Sequence, residues 1–222
     1  MRKKAAATAP TSRVQISAPN FRRVSMDIVG TRMYVSNNFG AKAISDMERK
    51  QSDPTSHSKR TRVAKNFEEK YEQSMHKSKE GWYGIPVTAL RGAMVSACRL
   101  INLKMTLAKL TVDVIPDGVD PESDTPLVKI IGKPRHGKHF VRLATGVADI
   151  ASRGVWPEWK SRVTVQYDAD IVSAGDVVNL VQRAGQQVGI GAGRPDSKTS
   201  VGMGWGLFKV DPKNIVDAAA AL

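Results

Sequence analysis

The sequence predicts an α+β fold: an antiparallel sheet with two helices on one face and a polar helical arm inserted early in the chain. Three observations predict it. Short runs such as LTVDVI and RVTVQY alternate apolar and polar residues, the period of a strand with one buried face. Two stretches, 89–101 and SAGDVVNLVQRAG, carry helical spacing and helix start signals. Residues 41–80 hold ten Lys or Arg and seven Asp or Glu with few large apolar residues, too polar for a core.

The elements follow in chain order. Residues 1–13 are rich in Ala, Lys, Thr and Pro and are expected to be a disordered basic tail. Val24, Ile28, Val29 and Val35 mark a strand between Phe21 and Val35, bent near Gly30. The arm at 41–80 reads as two helical stretches separated by SDPTSHSKR, with Phe67, Tyr71 and Met75 as anchors at i, i+4, i+8. Pro86 and Thr88 open the first core helix, Ala89 to Ile101. Leu110–Ile115 is a strand, Leu127–Ile131 another, and the basic GKPRHGKHFVR after it reads as a flexible loop. Arg162–Tyr167 is a strand with Val163, Val165 and Tyr167 on one face. Ser173 and Asp176 form a capping-box pattern for the second helix, and Gly185 sits where it stops. Gly206–Val210 is the last strand, and the Ala-rich tail at 211–222 is helical or frayed. Without the arm the order is βαββαβ, the ferredoxin-like arrangement. The expectation is a single domain over 14–210 that leaves one sheet face open.

Charge narrows the partner. The formal net charge is +13, and a chain this basic meets a polyanion, most often nucleic acid. Arg91, Arg99, Lys104 and Lys109 lie between Gly81 and Val112 with no acidic residue among them. Lys129, Lys133, Arg135, Lys138 and Arg142 do the same between Thr125 and Ala148. Such one-signed segments bind phosphate backbones, because each neutralised phosphate releases counterions. Sparse aromatics, Trp82, Tyr83, Trp156, Trp159, Trp205 and Phe208, are the candidates for base stacking.

Other chemistries find little support. The Gly-rich GIGAGRPDSKTSVGMGWGLFKV has Ala192 and Ser197 where a Walker loop needs glycines, and none of its Gly-x-Gly pairs has the third glycine of a dinucleotide fingerprint. His136 and His139 lie among Lys133, Arg135 and Lys138, which repel a metal cation. No acid–base pair accompanies them, so neither a catalytic residue nor a metal or cofactor is expected. The single Cys98 implies no disulfide. No run of about 18 apolar residues is present, and the reading is a cytoplasmic protein with no membrane partner, in the host-cell cytoplasm if phage-encoded.

GIPVTALRGAMVSAC resembles the IP-x-x-x-L-(R/K)-G-A entry to the first helix of the RAMP superfamily, the RNA-binding backbone subunits of CRISPR effector complexes, at Ile85, Pro86, Leu90, Arg91, Gly92 and Ala93. The placement and glycine rhythm of 189–210 are similar to that superfamily's C-terminal loop. GTRMYVSNNF, YGIP and VGIGAGRP also resemble a family of uncharacterised bacteriophage proteins. The superfamily resemblance implies a ferredoxin-like, RAMP-like domain and repeated subunits side by side on a single strand, contacting backbone rather than bases. The chain lacks that superfamily's catalytic aspartate or histidine, so non-catalytic binding is expected.

The functional expectation is sequence-tolerant binding of single-stranded nucleic acid, RNA ahead of DNA, as an oligomer or filament of copies of itself. The alternative is a bacteriophage structural or assembly protein that self-associates through the 41–80 arm. The expected contacts are Arg22 and Arg23 on the first strand, Lys42, Lys59, Arg60 and Arg62 in the arm, and Arg91, Arg99 and Lys104 around the first core helix. Lys133, Arg135, His136, Lys138, His139 and Arg142 follow in the basic segment, then Arg194, Lys198 and Trp205 in the Gly-rich one.

Overall fold

The computed structural model describes residues 16–38, 48, 52, 66–142, 148–197 and 202–219. Its elements in chain order are β1 (Phe21–Gly30), β2 (Tyr34–Val35), α1 (Phe67–Gln73), β3 (His76–Lys77), β4 (Tyr83–Pro86), α2 (Val87–Ala97), α3 (Met105–Thr111) and β5 (Val112–Ile115). They continue with β6 (Gly118–Asp120), β7 (Thr125–Lys129), β8 (Arg135–Arg142), β9 (Ala148–Trp156), β10 (Lys160–Asp168), α4 (Ala174–Arg183) and β11 (Phe208–Ala219). The fold is therefore mixed α and β, and its strands pair antiparallel in three sheets.

The first sheet runs β11-β1-β10-β5. Strict alternation builds it. Val24, Met26 and Ile28 of β1, Val163, Val165 and Tyr167 of β10, and Val112 and Val114 of β5 are buried on one face. Leu90, Ala93, Met94 and Ala97 of α2 and Val177, Leu180 and Val181 of α4 join the same core. Each large apolar side chain buried there stabilises the fold by about 2 kcal/mol over its exposed state. The opposite face is polar and self-paired. Arg23 donates to Gln166, Ser25 meets Thr164 at 2.9 Å, and Arg162 pairs with Asp27 at 3.0 Å.

The second sheet runs β2-β9-β8 and the third β3-β4-β7-β6. An aromatic knot joins them to the first. Tyr34 lies against Trp156 and Trp159 at 5.6 and 5.8 Å, and Phe208 against Trp159 at 5.9 Å. Burial pushes the Tyr34 phenol up to about 12. Trp156, Trp159 and Phe208 are 1%, 3% and 1% exposed, so these expected base-stacking residues are core instead.

Several elements depart from the sequence reading. The basic segment read as a flexible loop is β8, paired with β9 from Arg135↔Val155 to Arg142↔Ala148. Gly137 disguises it, yet a Cβ there would lie 2.4 Å from Val155, so the glycine makes room for the neighbouring strand. Residues 110 and 111 finish α3 rather than start β5, because Leu110 is 81% exposed and Thr111 Oγ1 donates to the Leu107 carbonyl. Gly185 does not stop α4; a π turn, Ala184–Val188, carries the helix on to Gly189 at φ 74. A Cβ at Gly185 would sit 2.4 Å from the Phe208 carbonyl, so that glycine admits β11. The last strand starts at Phe208 and takes up the Ala-rich tail as far as Ala219, which pairs with Arg22 of β1.

The anchors expected in the polar arm are placed as follows. Met75 is buried, Tyr71 packs against the core, and His76 Nδ1 meets Asp120 Oδ2 at 3.0 Å, joining β3 to the end of β6. Burial holds the His76 imidazole below its ordinary range, against the opposing pull of Asp120.

Candidate nucleic-acid interface

β8 is an edge strand of its sheet and carries Arg135, His136, Lys138, His139 and Arg142, with Lys133 two residues before it. Alternation sends the side chains of Arg135, His136, Lys138 and His139 to two faces. His136, Lys138 and Phe140 share one face with Ser152 and Ile150 of β9; Arg135 and His139 share the other with Arg153. Each face meets a different partner.

On the first face lies α1, capped by the Asn66 side chain, which accepts from the Glu68 and Glu69 amides at 3.1 and 3.2 Å. Tyr71 stacks on the His136 ring at 4.6 Å and 22°. The Lys138 ammonium sits 5.3 Å from the centre of the Phe67 ring. Glu68, His136 and Ser152 line up like an acid–histidine–serine relay, at 3.3 Å to Nδ1 and 2.6 Å from Nε2 to the Ser152 hydroxyl. Proton arithmetic decides what it does. Ser152 has one proton and donates it to the Phe67 carbonyl at 2.6 Å, a group that only accepts. His136 Nε2 must then donate to Ser152. A serine whose hydroxyl accepts from histidine is not an activated nucleophile, and the trio is a clamp holding α1 on β8.

On the second face the His139 ring meets Trp205 at 4.6 Å. Its Nε2 is buried without a hydrogen-bond partner. Burial, then Arg153, then Arg135 hold His139 below the ordinary imidazole range. Arg153 is half-buried, burial lowers its own proton affinity, and no carboxylate lies within ion-pair distance of it, of Arg135 or of Lys138 among the described residues. A partly desolvated guanidinium facing two other basic groups is the electrostatic environment of an anion contact.

The Gly-rich segment carries Trp205 to this place. It is stitched to β2 and the preceding residue: the Ala192 amide donates to the Val35 carbonyl at 2.9 Å and the Gly206 amide to Met33 at 2.7 Å. Gly206, at φ 69, lies so close to Ile190 that a Cβ would fall 1.8 Å from its carbonyl oxygen. The glycines thus admit the chain's own backbone. Arg194 turns back, donating to the Gly191 carbonyl at 3.2 Å. Asp196 accepts from the Ser96 hydroxyl and from Arg99 at 2.6 Å, so the far end of the segment is tied to α2.

The structure therefore gathers Lys133, Arg135, His136, Lys138, His139 and Trp205 on or against one hairpin, with the backbone of Arg142 at its end. It puts the other expected residues elsewhere. Arg22 and Arg23 open β1. Arg91 is engaged: it donates to the Val112 and Lys109 carbonyls at 3.2 and 2.5 Å and meets Asp113 at 3.3 Å. Arg99 is taken up by Ser96 and Asp196. Lys104 is the exposed cap residue before α3. Lys42, Lys59, Arg60, Arg62 and Lys198 lie outside the described residues. Sequence reasoning missed Arg153 and Phe140. The period of two in RHGKHF, read as a strand, would have sorted these residues by face, but Gly137 and Gly154 broke the apolar alternation that signals one.

Among the described residues no cluster of three His, Cys, Asp or Glu is placed to hold a metal ion, and no helix is long and apolar enough to cross a membrane. No protein-family model and no curated protein matches the chain. Among solved structures, the chain is similar to one chain of the type III-B Cmr-beta complex bound to cognate target RNA, determined by cryo-EM, at 13% identity and a TM-score of 0.45. The similarity covers 91% of this chain and 62% of that one, so this chain spans less than two thirds of that chain's length.

Proposed function

We propose that this protein binds single-stranded nucleic acid without catalysis, laying the phosphate backbone along β8 in a sequence-tolerant way. One observation carries the reading: β8 is an edge strand whose Arg135, with Arg153 on the same face, and Lys138, on the other face, have no carboxylate within ion-pair distance among the described residues. Phosphates neutralise such cations along a strand edge, and backbone contacts carry no sequence information. The serine–histidine proton count supports binding over chemistry.

RNA stands ahead of DNA on the motif resemblance at Ile85–Ala93. The β11-β1-β10-β5 order, with α2 and α4 on one face, supports a ferredoxin-like architecture for the central unit. Action as an oligomer is supported by β8 and β11 standing at the edges of their sheets, with no further strand paired to them among the described residues.

Fluorescence anisotropy with a labelled oligouridine, a single-stranded DNA of the same length and a duplex tests the reading. The Lys133→Ala/Arg135→Ala/Lys138→Ala variant is expected to bind the single strands at least about tenfold more weakly. Absence of binding by the wild type, or equal binding by the variant, overturns it.

A further inference from the structure

We propose that Phe140 is a platform on which one nucleobase of the bound strand stacks. The inference rests on the single-strand reading and adds a base contact to its phosphate contacts.

Phe140 is 70% exposed, the most exposed aromatic side chain among the described residues, and it stands on a paired strand rather than in a loop. Its cross-strand partner is Ile150, itself 46% exposed, so the two make an apolar step on one face of the hairpin. The same face holds Lys138 two residues back, about 7 Å along the strand. There α1 covers it: Tyr71 stacks on His136 and Phe67 lies under Lys138. Phe140, further along, stays open to solvent.

The acids around this step are few. Glu68 is engaged with His136, and Asp149 pairs in register with Val141, on the other face from Phe140. An exposed ring near an ammonium that has no carboxylate within ion-pair distance among the described residues fits a ligand that is flat and aromatic on one side and anionic on the other. An unpaired nucleotide is that ligand: its base covers the ring while its phosphate meets Lys138. A base inside a duplex has its faces occupied by its neighbours and cannot use the step. An apolar protein surface has no need of the adjacent cations, which is why the nucleotide is preferred.

The experiment compares oligouridine with an abasic oligoribose phosphate of equal length, for wild type, Phe140→Ala, Phe140→Leu and Phe140→Tyr. Phe140 touches solvent over most of its surface, so the variants are expected to keep the wild-type circular dichroism spectrum. Phe140→Ala and Phe140→Leu should each bind oligouridine about tenfold more weakly, bind the abasic strand as wild type does, and fail to quench a 2-aminopurine placed in the strand. Phe140→Tyr should retain affinity. Full affinity in Phe140→Leu overturns stacking, since leucine keeps the apolar area but loses the ring. Wild-type binding by Phe140→Ala, with the Lys133/Arg135/Lys138 variant still defective, overturns the platform and leaves the phosphate reading standing. Loss of self-association in Phe140→Ala, seen as a change in sedimentation without a change in binding, assigns the step to a protein contact and also overturns it. Failure of every form to bind any strand ends both readings.

Discussion

Single residues in the Gly-rich segment show how differently two like glycines can matter. Gly206 and Gly204 share a left-handed backbone, φ 69 and 72. A methyl at Gly206 would enter the Ile190 carbonyl, whereas one at Gly204 meets nothing within 4 Å. Gly204→Ala is therefore expected to cost only the backbone strain, about 1 kcal/mol, and Gly206→Ala about 3 kcal/mol or more. Urea unfolding of the two variants measures the difference. Asp196 offers a second test. The Ser96 hydroxyl first, and Arg99 with it, hold its carboxyl below the usual carboxylate range. A lowered folded value means the fold favours the ionised form, so the stabilisation is complete above the unfolded carboxylate's value and fades as pH falls through the folded one. Wild type should lose more stability than Asp196→Asn between about pH 5 and pH 3; parallel urea midpoints against pH would contradict this.

At the scale of elements, α4 is the most autonomous. Ser173 Oγ accepts from the Asp176 amide at 3.1 Å, and the Asp176 carboxylate accepts back from the Ser173 amide at 3.1 Å, so two otherwise orphaned donors are satisfied within four residues. Ser173→Ala should cost about 1 kcal/mol, read from the shift in the unfolding midpoint. This cap, β10 and the existence of β1 and α2 were legible in the chain, because each follows from local spacing, although α2 runs Val87–Ala97 rather than 89–101 and Tyr34–Val35 leaves β1 for another sheet. β8 was not. Its cations, two histidines and Gly137 hide the alternation, and β9 follows only because Val155 and Trp156 find Arg135 and Tyr34 across the sheet. A strand whose faces are covered by α1 on one side and Trp205 on the other need not be apolar to be held.

For the whole molecule, the formal charge of +13 is spent unevenly. Arg91, Arg99 and Arg162 are held by Asp113, Asp196 and Asp27, while Arg135, Lys138 and Arg153 of the β8–β9 hairpin have no carboxylate within ion-pair distance among the described residues. The binding proposal therefore predicts a specific salt response. Removing Lys133, Arg135 and Lys138 together should flatten the dependence of log affinity on log salt by about 2, at about 0.7 per lost phosphate contact on a single strand. An unchanged slope would put the phosphates on other residues.

The sequence by itself determined the net positive charge, the alternating strands of the central sheet and the capping box of α4, since composition, period and capping act within a few residues of one another. Only the tertiary structure decided which cations are available. Whether an arginine meets a carboxylate from another element, and whether an aromatic ends in the core like Trp156 or in solvent like Phe140, depends on chain segments far apart in sequence. The physical reason is that pairing and burial are properties of neighbours in space, and a basic stretch read along the chain carries no record of them.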